Sequence, residues 1–392
     1  MKILYCASDQ TVPGTTGGSV HVMAVADGLS ELGHEVHALV TPGGDLPRGR
    51  TAWIAMPPPL GRKELRWALA GSVRRLAAEI HPDVIIERYY NFAGEGMATA
   101  AETGALAMLE VNAPVIDHPG SLKRVVDRML LVEPMRRRRE RMCVQADIIV
   151  TPEPAILPPS VPPEKILRLE WGADTRQFRP DVTGPVPFAR PAGIVAVFAG
   201  AFRRWHGAIH LAHAIRELRA RGRDDIGAVF IGDGPELPAV RSAAAGLEGV
   251  VFTGAVPHTR MPACLSACDI GVAPFDLDAH RALSLAFYWS PLKIFEYMAA
   301  GLPVVAPISS RIPGLIEHRH EGLLYDPAFP HALGAALEAL TDVNLRTRLG
   351  HAARARAVRD YSWSAHCAAL DQAITVAHAR VKSQGAGLKA HG

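Results

Sequence analysis

Twice along this 392-residue chain, short apolar runs alternate with loops and helical patterns, and a proline-rich break separates the two series. The first series opens with Lys2-Ile-Leu-Tyr-Cys-Ala7, then a glycine-rich loop, Gly14-Thr-Thr-Gly-Gly-Ser19. A helix follows, with Ser19 as the expected N-cap and Val22, Val25, Leu29 and Leu32 on one face. Gly33 suits the position just past its end, and Glu35 to Val40 reads as the next strand. Further buried strands are read at 83–88, 106–112 and 147–151. Residues 152–192 are rich in proline around one short apolar piece, Ile166 to Leu169. The pattern restarts at Gly193-Ile-Val-Ala-Val-Phe-Ala-Gly200, with helices expected near 207–221 and 236–245 and strands at 227–232 and 250–254. Such alternation predicts α/β architecture with parallel sheets and crossover helices. The length exceeds what one core usually fills, so two doubly wound domains are expected, 1–184 and 185–360, with a ligand crevice at the carboxyl ends of the strands.

Several classes are excluded. The glycine-rich turn is neither G-x-G-x-x-G nor a P-loop, and no acidic residue ends the second strand. Its backbone amides suit an anion at a helix N-terminus, or merely a tight turn. A net charge of +3 does not make a nucleic-acid surface, so no nucleic-acid partner is expected. The five scattered cysteines argue for a reducing cytoplasm. Cys264 and Cys268 are spaced like helical metal ligands but lack a second pair, and read as core residues; no metal site is expected. No stretch has the length of a membrane span or a signal-peptide core.

Two stretches carry chemistry. In Ser290-Pro-Leu-Lys-Ile-Phe-Glu-Tyr-Met-Ala-Ala-Gly301, Ser290 is the expected N-cap, Pro291 the first helical residue and Gly301 the stop. Lys293 then lies in the first turn, where the helix dipole disfavours a cation unless it faces an anion. Glu296 follows one turn on, so the alternatives are an anionic-ligand site and an i, i+3 surface ion pair. The second stretch, Gly200-Ala-Phe-Arg-Arg-Trp-His-Gly207, sets Arg203, Arg204 and His206 at a strand end, suiting a phosphate-bearing ligand.

Taken in order, GGSVHV with GHEV, IIERYY, LEVNAP, ADIIVTPEP, WGADTRQFRP, GAFRRWHG, GDGPE, VVFTGAVPH, ACDIGVAPF and SPLKIFEYMAAGLPVVAP with GLLYDP resemble family 4 retaining glycosyltransferases. The resemblance runs over nearly the whole chain. It implies the GT-B fold, two Rossmann-like domains facing across a cleft. It also implies transfer of a hexose-type sugar from a nucleotide sugar with retention and without a required metal or cofactor. Glu296 matches the family glutamate that holds the donor ribose; Lys293 and Arg203 match basic positions near the diphosphate, with Ser290, Leu292 and His206 beside them. Gly17 and Gly18 match the glycine pair that approaches the diphosphate. Asn112 stands where many members place a catalytic histidine, and nearby His118 is the alternative catalytic group or an ordinary surface histidine. Tyr288 replaces the first glutamate of E-x7-E, which puts the donor sugar in question.

UDP-sugars, as the commonest donors, are the expectation, with an acceptor that is a small molecule, glycan or lipid-linked glycan. Alternatives are a GT-B isomerase, a pseudo-glycosyltransferase, or a non-catalytic sugar-nucleotide-binding protein. One helix is expected at 121–145, with eight cations against three acids, either a solvated rim or a peripheral membrane contact. A last helix, 361–382, is expected to pack back on the first domain through Trp363, Cys367, Leu370, Ile374 and Val376, with fraying from Lys382 on.

Overall fold

The computed structural model describes residues 1–118, 121–280, 283 and 285–389, with backbone alone at 123, 124, 133 and 381–389. The chain divides into two units. One comprises Met1–Trp171, Tyr288–Ser290 and the chain from Trp363 on; the other comprises Gly172–Phe287 and Pro291–Ser362. The division therefore falls after Trp171, whereas the proline-rich composition pointed to 184.

The first unit runs β1 (Lys2–Val12), α1 (Gly17–Glu31), β2 (Glu35–Pro42), β3 (Ala52–Ala55), α2 (Ala70–Ile80), β4 (Val84–Arg88), α3 (Glu95–Thr103), β5 (Leu106–Glu110), α4 (Lys123–Met129), α5 (Glu133–Gln145), β6 (Ile148–Thr151) and β7 (Ile166–Arg168). Its seven-stranded parallel sheet has the order β3-β2-β1-β4-β5-β6-β7. Ile3 to Ala7 and Leu106 to Leu109 are buried on both faces, as continuous apolar runs in a parallel sheet must be. The short apolar piece inside the proline-rich break is the seventh strand. Strand order reverses between β1 and β4, which opens a crevice at their carboxyl ends.

Four local expectations are corrected here. Thr16, not Ser19, caps α1: its extended backbone lets Oγ1 accept from Ser19 N, and the helix begins at Gly17. Leu32 lies past the helix end and is exposed. The basic segment is two helices, because Leu131 adopts a left-handed φ of 56° and Pro134 opens α5. Nor is its arginine run a uniformly solvated face. Arg136 and Arg139 are buried, Arg136 on Asp117 and Asp127 and Arg139 on Asn91, while Arg137 and Arg141 are exposed. The side chains of Lys123, Arg124 and Glu133 lie outside the described residues.

The second unit runs β8 (Ile194–Ala199), α6 (Ala208–Ala220), β9 (Ile226–Ile231), α7 (Leu237–Ala243), β10 (Val250–Gly254), α8 (Met261–Ser266), β11 (Ile270–Val272), α9 (Leu292–Ala299), β12 (Val304–Pro307), α10 (Ile312–Leu315), β13 (Gly322–Tyr325), α11 (Ala332–Ala339) and α12 (Val343–Asp360). Its six parallel strands have the order β10-β9-β8-β11-β12-β13, so the reversal lies between β8 and β11. Phe198, Phe202 and Phe230 meet in its core with ring centroids 5.2–6.4 Å apart. Cys264 and Cys268 are both buried free thiols.

The last helix, α13 (Trp363–Lys389), belongs to the first unit, where Leu370 and Ile374 enter the core beside Val25 and Leu29. His34 Nε2 meets Asp371 at 2.8 Å, and a Cβ on Gly28 would stand 2.4 Å from Cys367 Sγ. Helix to helix, the fit is tight. Val376 is exposed and adds nothing to that seam. The helix continues past Lys382 to Lys389; residues 390–392, also expected to fray, lie outside the described residues.

Candidate functional site

In the second unit the chemistry gathers at the β8/β11 reversal. Helix α9 begins at Leu292 with Pro291 as its N-cap, one residue later than expected. Ser290 does not cap it. Its Oγ donates to Glu170 Oε2 at 2.8 Å and accepts from Trp171 N at 3.0 Å, within the first unit. Leu292, half-buried, is therefore the first helical residue and Lys293 the second. Gly301 ends the helix with φ +76°, as its position required.

Lys293 turns its ammonium inward. Nζ stands 4.2 Å from the Phe198 ring centroid and 5.2 Å from that of Phe275, and it is buried without a hydrogen-bond partner. A Cβ on Gly200 would stand 3.2 Å from it, so glycine at the end of β8 leaves the ammonium room. Burial lowers the lysine pKa to about 7, and Glu296 offsets only part of that effect. The surface ion pair is thereby excluded. Glu296 instead takes His258 Nε2 on Oε1 at 2.9 Å, and that bond raises the His258 pKa.

His206 sits nearby but is no cation. Burial, then Lys293 and Arg203, depress its pKa to about 3, and Nδ1–H donates to the Ala201 carbonyl. The His206 ring is thus neutral and fixes the loop. Arg203 is exposed at the same strand end. Tyr288, at the position of the missing glutamate, is buried, and burial pushes its hydroxyl pKa up to about 12, so it supplies no carboxylate.

In the first unit, Gly17 and Gly18 form the first turn of α1, and a Cβ on Gly18 would stand 2.1 Å from Gln10 Oε1 and 3.2 Å from Arg88 Nη2. Glycine there leaves room for those two side chains. Asn112 Oδ1 accepts from Trp171 Nε1 at 2.9 Å, while Asn112 Nδ2 is buried without a partner. Trp171 stacks on His21 at 4.4 Å. Glu110 accepts from Tyr5 Oη at 2.5 Å and meets His21 Nε2 at 3.3 Å. Burial pushes the Glu110 pKa up, but His21 and Tyr5 outweigh it and hold the carboxyl below its ordinary value. His118 is half-buried after β5, where its carbonyl accepts from Ser121 N at 3.1 Å.

His21, Glu110 and His366 present ligand atoms within 4.8 Å of one another. The His21–Glu110 contact, the Trp171 stack and the His366 Nδ1 bond to the Glu170 carbonyl at 2.7 Å account for that arrangement by hydrogen bonding and packing. A further buried cluster lies below: Arg66 donates to Asp9 and Glu95 and lies 3.5 Å from Glu87. The sequence does not single out Arg88, Glu110 or His258: Arg88 and Glu110 are polar residues ending apolar strands, and His258 lies in the turn after β10.

Residues 15–158 match the model for Glycosyltransferase Family 4, and residues 193–342 match that for Glycosyl transferases group 1. The chain is 27% identical over 207 residues to the GDP-mannose-dependent alpha-(1-6)-phosphatidylinositol monomannoside mannosyltransferase of Mycobacterium tuberculosis, covering 51% of this chain and 53% of that one. It is 31% identical over 192 residues to the GDP-mannose-dependent alpha-mannosyltransferase of Mycolicibacterium smegmatis, covering 48% and 47%. The match thus spans about half the length of these curated relatives. Sucrose-phosphate synthase of Thermosynechococcus elongatus superposes with a TM-score of 0.70 over 97% of this chain and 99% of its own, at 16% identity. That likeness shows the GT-B fold. With both halves matched in order, the chain belongs to the group 1 glycosyltransferases of family 4.

Proposed function

We propose that the protein transfers a hexose from a GDP-sugar, GDP-mannose first, to a hydroxyl acceptor with retention of anomeric configuration and without a metal or other cofactor. The carrying observation is Lys293: a buried ammonium with no partner, at the strand reversal of the second unit and one turn before a carboxylate. Burying a cation unpaired is costly, so the arrangement fits a site completed by an anion. The preference for a GDP-sugar over the UDP-sugar expected from frequency rests on the names of the two mannosyltransferases.

In this reading the C1–O bond to the diphosphate breaks and the electron pair leaves with the nucleoside diphosphate. Lys293 and Arg203 stabilise that developing charge. Glu296 holds the ribose hydroxyls, exchanging its His258 bond for them. The acceptor oxygen bonds C1 on the face the diphosphate leaves, and its proton passes to the departing phosphate oxygen.

Titration of the full chain with GDP, UDP and ADP tests the reading. GDP binding tightest, and weakened tenfold or more by Glu296→Ala with the fold intact, supports it. Equal affinity for all three, or none, overturns it.

We further propose that the acceptor is presented at an anionic lipid surface. Among the described residues no helix is long and apolar enough to cross a membrane. Yet Leu122, Val125, Val126, Met129, Leu130 and Leu131 are all exposed around α4, beside exposed Arg128. An apolar ridge beside an exposed cation suits the headgroup boundary of an anionic bilayer. Sedimentation with phosphatidylglycerol vesicles but not phosphatidylcholine vesicles, lost in the L130D/L131D double variant, is expected. Equal recovery with both lipids would contradict the proposal.

A further inference from the structure

Arg88 ends β4 at the strand reversal of the first unit, and nothing so far gives its guanidinium a task. Nε and Nη1 are buried and donate to no acceptor. The nearest carboxylate, Asp9, lies 3.8 Å from Nε, beyond hydrogen-bond reach, and already accepts from Arg66 and Gln10. Glu110 is likewise taken, by Tyr5 and His21. The guanidinium carbon lies 5.8 Å from the Trp171 ring, and the same indole anchors Asn112, whose Nδ2 is also buried and unpaired. Three nitrogens carrying five N–H groups are thus desolvated around one ring with no acceptor among the described residues. Leaving buried donors unmet is unfavourable, and a planar guanidinium matches the several oxygens of a phosphate.

We propose that Arg88, with Asn112 Nδ2, forms a phosphate-binding site in the first unit, beside the α1 amides at Gly18. The inference rests on the transferase reading for its context but not for its chemistry. Its phosphate comes either from a nucleoside diphosphate or from a phosphate borne by the acceptor.

The test uses the full chain and the variants Arg88→Gln and Arg88→Lys, with circular dichroism to establish folding. Titration with GDP reports the donor source; phosphorus NMR of inorganic phosphate, added to protein saturated with GDP, reports the acceptor source. A donor phosphate predicts that R88Q weakens GDP about tenfold or more, consistent with the loss of charged hydrogen bonds. An acceptor phosphate predicts unchanged GDP affinity and loss of the second phosphate signal. R88K, which keeps charge but not the fork, is expected to fall between, and it decides the question if R88Q does not fold. Unchanged binding of both probes in a folded variant overturns the proposal. Lys293→Ala, run beside them, reports on the transferase reading separately, because its ammonium lies in the second unit.

Discussion

In the proposed reading, the pH dependence of donor binding is set by Lys293. Free, its ammonium is half-deprotonated near neutrality because burial holds its pKa at about 7. Opposite a diphosphate the charged form is favoured, so the bound pKa rises and binding takes up a proton. The uptake is about half a proton at pH 7 and approaches one near pH 8. Affinity for GDP-mannose therefore falls roughly tenfold between pH 6 and 8, since one pKa unit is worth about 1.36 kcal/mol. GDP-mannose is the right probe because its diphosphate is esterified at both ends and has no proton to lose near neutrality. His258 faces Glu296 and also titrates, with a raised pKa, so His258→Gln isolates the lysine. Calorimetry at each pH, in two buffers of different ionisation enthalpy, counts the protons directly. Lys293→Met should bind weakly with no lysine-linked uptake. No uptake in the native protein between pH 6 and 9, or the same uptake in both lysine-variant and native proteins, would refute the reasoning.

The same lysine destabilises the unliganded fold. Its folded pKa lies below its unfolded value, so the unfolded chain binds more protons between about pH 7 and 10.5 and stability rises with pH across that window. Lys293→Met removes the penalty and should stabilise the apo protein at pH 7 by on the order of 3 kcal/mol in urea unfolding. Arg66 sits fully buried among Asp9, Glu87 and Glu95, so Arg66→Met strands buried carboxylates and should cost about 3–5 kcal/mol, read as a lower urea midpoint. Leu370→Ala opens a cavity between α13 and the first unit's core and should cost about 2–5 kcal/mol by the same measurement, with GDP affinity retained at temperatures where the variant is folded.

Much of this was legible because buried parallel strands must be apolar on both faces. Ile3 to Ala7 and Ile226 to Ile231 are so, and they stood out. Gly33 and Gly301, at φ +94° and +76°, mark helix ends that few other residues tolerate. What could not be read was set by tertiary contact. Ser290 has the composition of a cap, but Glu170 and Trp171, 120 and 119 residues away, claim its hydroxyl. Local spacing made Lys293 and Glu296 partners, whereas the aromatic floor of Phe198 and Phe275 draws the lysine inward and His258 takes the glutamate. His206, read only as part of a loop suited to phosphate, is neutral because of its burial beside Lys293. Strand β7 hid in a proline-rich stretch, because an edge strand of three residues needs little apolar sequence.

Real-time proton NMR of the native protein with GDP-mannose, and with water or a simple mannoside as acceptor, tests the central claim most directly. Release of GDP with the α-anomer of the transferred mannose appearing first, abolished in Glu296→Ala, is the predicted result. Appearance of the β-anomer first, or turnover unaffected by Glu296→Ala, would contradict it.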